Sequence, residues 1–299
     1  MKPNITQINR YSLPHIYAAF ALLFTLLFAG QGAAVLGQEA LSGADFRNGW
    51  RFHLDDVSGA ENDSFDDSAW ETVTIPHTAR IEARVCGKDK PQWEGICWYR
   101  KTITITPEMA GKVILARFEG AMNKVILYAN GKQIAENLDG YLPFVADLTP
   151  LAKSPGKITL ALKLDNKHNP VTGPKPLANL DFNLYHGVYR PASLIVKPLL
   201  HITDEILENK VASGGVFVTY PEVTEKSATV KTQIHLKNSD RTPATFSIVA
   251  RLSDLSGKEV AKKESDSLSL KSGEDRAFPL PLTVAQPQLW SPQAPNLYY

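Results

Sequence analysis

"KVILYANGKQIAEN", residues 124–137, decides the fold. Two runs of β-formers flank Asn130-Gly131, and an Asn-Gly pair supplies the positive φ that a two-residue type I′ turn requires at both central positions. The stretch predicts a β-hairpin. The same character recurs in "ETVTIP", "WYRKTITIT", "KVILARFEG", "KITLALKLDN" and "ASLIVKPL", short runs of period two separated by turn residues. From Asp45 onward no long segment sustains a 3.6-residue apolar spacing. The body of the chain reads as all-β.

A second block begins near His201, with "GGVFVTY", "ATVKTQIHLKN", "ATFSIVARLSD", "KKESDSLSLKS" and "RAFPLPLTV" as its strands. Short strands with one apolar face suit a two-sheet sandwich of about 100 residues, the size of an immunoglobulin-like domain. We therefore divide the chain into an N-terminal leader over 1–37, a first sandwich over 45–198 and a second over 201–299. "VKPLLHITDEI" reads as the connection between the sandwiches, and "KESDSLSLKSGED" as a solvated hairpin.

With 32 Lys and Arg against 31 Asp and Glu, the chain has no net field to draw in a polyanion. It also has no basic run interleaved with aromatics, so nucleic acid is not expected as a partner. Lys2 and Arg10 precede the apolar run Ile16 to Ala29, and small residues Gly32, Ala33, Ala34 and Gly37 follow. That is the layout of a signal peptide, and the Gly and Gln after Ala29 interrupt it as a membrane anchor. The expected location is periplasmic or extracellular. In such a compartment Cys86 and Cys97 can bridge; two buried free thiols are the other reading, and spacing does not choose between them.

Adjacent acids at Asp55-Asp56, Asp66-Asp67 and Asp204-Glu205 point to opposite faces of a strand and cannot flank one glycosidic bond. They read as solvated turns. G-x-S-x-G and H-E-x-x-H are both missing from the sequence, and the seven histidines are scattered. No self-contained catalytic set or metal centre emerges. Trp93, Trp98, Tyr99, Tyr141, Phe144, Phe182, Tyr185 and Tyr189 offer apolar faces suited to a sugar ring, although aromatics on alternating strand positions mostly fill cores. Trp93 and Phe182 sit in long loops and escape that reading. The stretch "DNKHNPVTGPKPLANLDFNLYHGVYR" carries Pro170, Gly173, Pro174 and Pro176, which forbid regular structure and leave an ordered or mobile loop ahead of Asp181, of a length that is usually either functional or disordered.

The order of these landmarks resembles a known family. "DDSAWETVTIPHTA", "GICWYRKTITIT", "ARFEGAMNKVILYANGKQIAENLDGYLPFVADLT", "KITLALKLDN" and "DFNLYHGVYRPASLIV" are similar to the N-terminal sugar-binding sandwich of the family 2 glycoside hydrolases, most of all the bacterial β-galactosidases. The block ending in "LWSPQAPNLYY" resembles their immunoglobulin-like second domain. The resemblance implies a jelly-roll sandwich, then an immunoglobulin-like one incomplete in its last strand, then a (β/α)₈ barrel, beyond Tyr299, that carries the catalytic glutamates. It further implies that the chain is inactive alone and serves a β-linked saccharide. A separately encoded barrel would be its partner in a split enzyme; a stand-alone carbohydrate-binding or adhesion module is the rival reading.

Asp181, with Tyr189-Arg190 behind it, matches a family aspartate that reaches the barrel's active site and holds sugar hydroxyls and a monovalent cation. The cation belongs to the intact enzyme, and no cofactor is expected in this chain itself. A loop carboxylate bonded to its own turn is the other reading of Asp181. A family asparagine that precedes the "GICWYR" strand has no counterpart in "KPQWEGICWYR", where Trp93 or Glu94 would take its space against the substrate. The sugar is left open by that departure. Arg190 reads as structural, and Gly187 as a bend or bulge.

Overall fold

The computed structural model describes residues 25–27, 34–35, 39–40, 43–80, 93–167, 171–172 and 186–299. Of the segment read as a signal peptide, it describes only two short strands, β1 (Thr25–Leu27) and β2 (Ala34–Val35). Strand β3 (Glu39–Ala40) and helix α1 (Gly43–Arg47) follow. The first sandwich continues with β4 (Trp50–Leu54), β5 (Glu71–Val73), β6 (Ile96–Ile105), β7 (Val113–Phe118) and β8 (Lys124–Ala129). It closes with β9 (Lys132–Asn137), β10 (Phe144–Asp147), β11 (Gly156–Asp165) and β12 (Ala192–Lys197). One sheet has the order β5-β4-β6-β11-β8-β9 and the facing sheet β10-β7-β12-β3, with every pair antiparallel.

The predicted hairpin is β8–β9, with Asn130 at φ 48° and Gly131 at φ 78°. Asn130 does more than turn. Its side-chain oxygen accepts from Thr159 N at 2.8 Å while its N–H donates to Thr159 O at 2.9 Å, which ties the hairpin tip to β11.

Alternate residues of both sheets meet in one core. Trp50, Tyr99, Phe118, Leu127, Leu160 and Leu162 are fully enclosed, and Phe118 stacks on Phe144 with centroids 4.9 Å apart. The free thiol of Cys97 is buried here, where the apolar surroundings push its pKa well above the ordinary value; Cys86 lies outside the described residues.

Trp98 and Arg100 point the other way, onto the outer face of the large sheet, yet they too are buried. The loop between β4 and β5 covers them. Arg100 Nε donates to Asp67 Oδ2 at 2.8 Å, and its guanidinium also bonds the carbonyls of Ala60 and Asn62. Trp98 Nε1 donates to Asp56 Oδ1 at 2.9 Å, and Lys163 Nζ bonds the other oxygen of that carboxylate. Two of the acidic pairs read as solvated turns are thus partly structural: a loop that covers sheet needs carboxylates to answer the cations beneath it.

The second sandwich comprises β13 (Leu200–Ile202), α2 (Glu205–Glu208), β14 (Val216–Val223), β15 (Ser227–Asn238), β16 (Ala244–Ser253), β17 (Glu259–Glu264), β18 (Leu268–Leu270), β19 (Asp275–Pro279) and β20 (Leu282–Ala285). Strand β15 runs down the middle of one sheet, paired with β13 and β14 along one edge and with β19 and β20 along the other. The facing sheet is centred on β16, with β17 and β18 on one edge and β1 on the other. Phe246, Ile248, Ile234, Leu236 and Phe278 fill the space between.

Two expectations are corrected here. The connection is not plain linker, because its Leu200–Ile202 pairs with β15 and its Asp204, itself buried, caps α2 by accepting from Ile206 N and Leu207 N. Nor is "KESDSLSLKSGED" a free hairpin: Leu270 is buried in the core, and β18 pairs with β16. The connection also joins the sandwiches. Ile206 covers Val113, Leu115, Val145 and Ile195 on the outer face of the small sheet, and Arg117 of β7 bonds Glu205 at 2.9 Å.

Candidate functional site

Strand β6 begins, β11 ends and β8 begins at one end of the first sandwich, and the chain re-enters there at His186. Asn166, buried, is the hub. Its side-chain oxygen accepts from Gly95 N at 2.7 Å, and its amide nitrogen donates to Trp93 O at 3.1 Å and bonds His186 Nδ1. Its own N–H donates to Gly95 O at 3.2 Å. One side chain therefore clasps the start of β6, the end of β11 and the returning segment.

The returning residues are fixed from both sides. His77 N donates to Val188 O at 2.8 Å and Ala79 N to His186 O at 3.0 Å, while Met122 N donates to Gly187 O at 2.9 Å. Gly187 sits at φ 85°, and a Cβ there would lie 2.2 Å from the Tyr99 hydroxyl. The glycine is required twice, for its backbone angle and for its contact. That same hydroxyl bonds His77 Nδ1 at 2.8 Å; burial lowers the pKa of His77 and raises that of Tyr99. Farther along, Tyr189 Oη donates to Gly140 O at 2.7 Å and Arg190 to Tyr141 O at 3.2 Å, so Arg190 is structural as expected. Asn123 Nδ2 donates to Thr172 Oγ1 at 2.6 Å, which anchors one point of the long loop.

Trp93 packs against the core, edge-on to His186 with centroids 5.7 Å apart, and folds back over Gly95. It is a half-buried wall of this rim rather than an open platform. Glu94 beside it is exposed. Asp181, Phe182 and Tyr185 lie outside the described residues. Trp98, Tyr99 and Phe144 are buried, as strand aromatics should be, whereas Tyr141 is exposed on the 138–142 turn of this rim. Sequence reading missed Asn166, His186 and Asn123. "DNKHNP" offered the only signal, an asparagine at the point where a strand gives way to a long loop.

Among the described residues one group of histidine and carboxylates comes together, Glu208, His235 and Asp275 in the second sandwich. Lys210 Nζ reaches Asp275 at 2.5 Å, His235 Nε2 at 3.4 Å and Glu208 at 3.5 Å. Its ammonium already supplies the positive charge that a metal would bring.

Residues 46–198 match the family described as glycosyl hydrolases family 2, sugar binding domain, and residues 213–299 match glycosyl hydrolases family 2. The chain belongs to glycosyl hydrolases family 2. A β-galactosidase of Bacteroides ovatus is 30% identical over 262 residues, 85% of this chain and 29% of its own length. A β-glucuronidase of Bacteroides fragilis is 29% identical over 278 residues, 91% of this chain and 35% of its own. The solved β-glucuronidase 2 of Bacteroides uniformis, covalently bound to a cyclophellitol-6-carboxylate aziridine, superposes with a TM-score of 0.73 at 26% identity, over 88% of this chain and 29% of that one. The chain spans about a third of the length of these family 2 relatives, and what it spans is their two sandwiches rather than a catalytic portion.

Proposed function

We propose that this chain is the sugar-binding, non-catalytic part of an exported glycosidase that removes terminal β-linked sugars, β-galactosidase-like in kind. The carrying observation is the Asn166 clasp. It holds Asn166, where β11 has ended, against His186, where the described chain resumes, so the described residues on either side of the stretch that bears Asp181 are tied to one rim. On this reading Asp181 orients sugar hydroxyls, Trp93 and Glu94 form the neighbouring wall, and the barrel of the complete enzyme supplies the acid and the nucleophile. The monovalent cation implied by the family resemblance falls to Asp181 with ligands from that barrel. Lys2 and Arg10 ahead of the apolar run 16–29 support export.

The test is hydrolysis of chromogenic β-galactosides and β-glucuronides by the chain alone and mixed with a barrel polypeptide. No turnover alone, and turnover on mixing that Asp181→Asn lowers at least tenfold, is expected. Turnover by the chain alone overturns the reading, and the preferred glycoside names the sugar.

A further inference from the structure

We propose that the outer face of the large sheet carries a saccharide site of its own, a cleft between the 56–61 loop and Tyr128 that takes one neutral sugar unit of a glycan. It lies apart from the Asn166 rim and does not depend on the role given to Asp181.

The cleft has a volume of about 500 Å³ and is lined by Asp56, Ser58, Gly59, Glu61, Tyr128 and Lys163, with Trp98 beneath. Small-molecule sites commonly have volumes of this order. Strand pairing assembles the floor. Lys163 stands opposite Trp98 and Tyr128 opposite Ala161, so residues of β6, β11 and β8 share one face. The covering loop buries Trp98 but leaves Tyr128 half-buried, its ring stacked on the indole with centroids 6.1 Å apart. At the far end the hairpin tip closes in, since a Cβ on Gly131 would lie 3.9 Å from Glu61 O.

Asp56 and Lys163 pair at 2.9 Å, and Asp56 also accepts from Trp98 Nε1. The pair is thereby held in place before a ligand arrives, and Lys163 keeps N–H donors beyond the one that it gives to Asp56. Beside them stand the exposed Ser58 hydroxyl and the Glu61 carboxylate, which is in no hydrogen bond or ion pair among the described residues. These groups select the ligand. An apolar molecule would strip water from three charges without replacing its hydrogen bonds. An anion would meet two carboxylates and a lysine already neutralised, and a metal ion would find that ammonium in its way. A sugar hydroxyl donates to a carboxylate and accepts from an ammonium at once, while the C–H face of its ring lies on the Tyr128 ring.

The probes are lactose and methyl β-D-glucoside as neutral sugars, and methyl β-D-glucuronide as the glucoside ring carrying a carboxylate. Titrated into the full chain, the neutral sugars should shift the NMR signals of the Ser58, Gly59 and Tyr128 amides and the Trp98 indole N–H saturably, and the glucuronide should bind at least fivefold more weakly than the glucoside. Tyr128→Ala should abolish these shifts, whereas Tyr128→Phe, which keeps the ring face, should retain them. Glu61→Gln, which disturbs no bond of the fold, should weaken the neutral sugars severalfold and narrow their lead over the glucuronide. No shift at the cleft with either neutral sugar, a glucuronide that binds as well, shifts that survive Tyr128→Ala, loss of binding in Tyr128→Phe, or indifference to Glu61→Gln each overturns the proposal. Shifts confined to Gly95 and Asn166 sink the cleft and keep the rim reading; cleft shifts that persist in Asp181→Asn, with no turnover on mixing, keep the cleft and sink the split-enzyme reading.

Discussion

Asn166 and Gly95 hold each other through two hydrogen bonds, one from Gly95 N to the Asn166 side chain at 2.7 Å and one from Asn166 N to Gly95 O at 3.2 Å. The side chain thus repeats, one position past the end of β11, the bonding that the β6–β11 ladder makes along its length. Asn166→Ala removes the Gly95 acceptor and the contacts to Trp93 and His186 together. Leaving a buried donor unanswered costs about 1–3 kcal/mol, which lowers Tm by roughly 2–4 °C per kcal/mol in a chain of this size. Thermal unfolding checks the loss, and faster amide exchange at Gly95 places it at the rim.

Gly187→Ala introduces a methyl carbon where the Tyr99 hydroxyl stands, at a φ that L residues rarely adopt. Overpacking of this sort costs about 1–3 kcal/mol, and the backbone angle adds to it. Gly156→Ala is the control, since nothing lies within 4 Å of a Cβ there and its φ is ordinary. Urea midpoints should separate the two variants clearly, with the control within about 0.5 kcal/mol of the parent.

Arg100→Ala leaves Asp67 and the carbonyls of Ala60 and Asn62 without the guanidinium that joins them. Arg100 is the buried member and Asp67 is partly exposed, so the loss is that of the carbonyls left unanswered, about 1–3 kcal/mol. Arg100→Lys should recover little of it, because an ammonium cannot bond all of these groups from one position. Limited proteolysis should then cut first within the loop between β4 and β5.

His201 carries a pH dependence. Burial, partly offset by the bond to Leu199 O and reinforced by Lys197 and Lys237, holds its imidazole at about 4 rather than 6.5. Between these values the unfolded chain binds a proton that the folded chain refuses. Stability is therefore full above about pH 6.5 and falls toward pH 4, by at most about 3 kcal/mol from this group. His201→Gln should flatten that part of the profile measured by urea unfolding, and an unchanged slope would assign it elsewhere.

The fold was legible because strands and turns declare themselves locally. Asn130-Gly131 fixed a hairpin, whereas "RAFPLPLTV", read as one strand, is two, β19 and β20, parted at Leu280-Pro281. Less legible was everything that depends on a partner far away in sequence. Asp204 reads as a solvated acid until the four-residue helix it caps is seen, and Asp67 until Arg100, thirty-three residues on, is found beneath it. Trp93 was singled out for standing in a loop, but its role as a packed wall follows from Gly95, whose missing side chain admits the indole. Asn166 carried no sequence mark beyond its place at a strand end.

Strand β15 also sets a timetable for synthesis. It leaves the ribosome about forty residues ahead of β19, a wait of several seconds at ordinary elongation rates. During that wait β13 and β14 can shield one flank, but Ile234 and Leu236 belong to a layer whose other half has not yet been made. A nascent chain at this stage is a substrate for holding chaperones, and slowing translation after Asn238 should raise the yield of aggregate more than slowing it before Ser227.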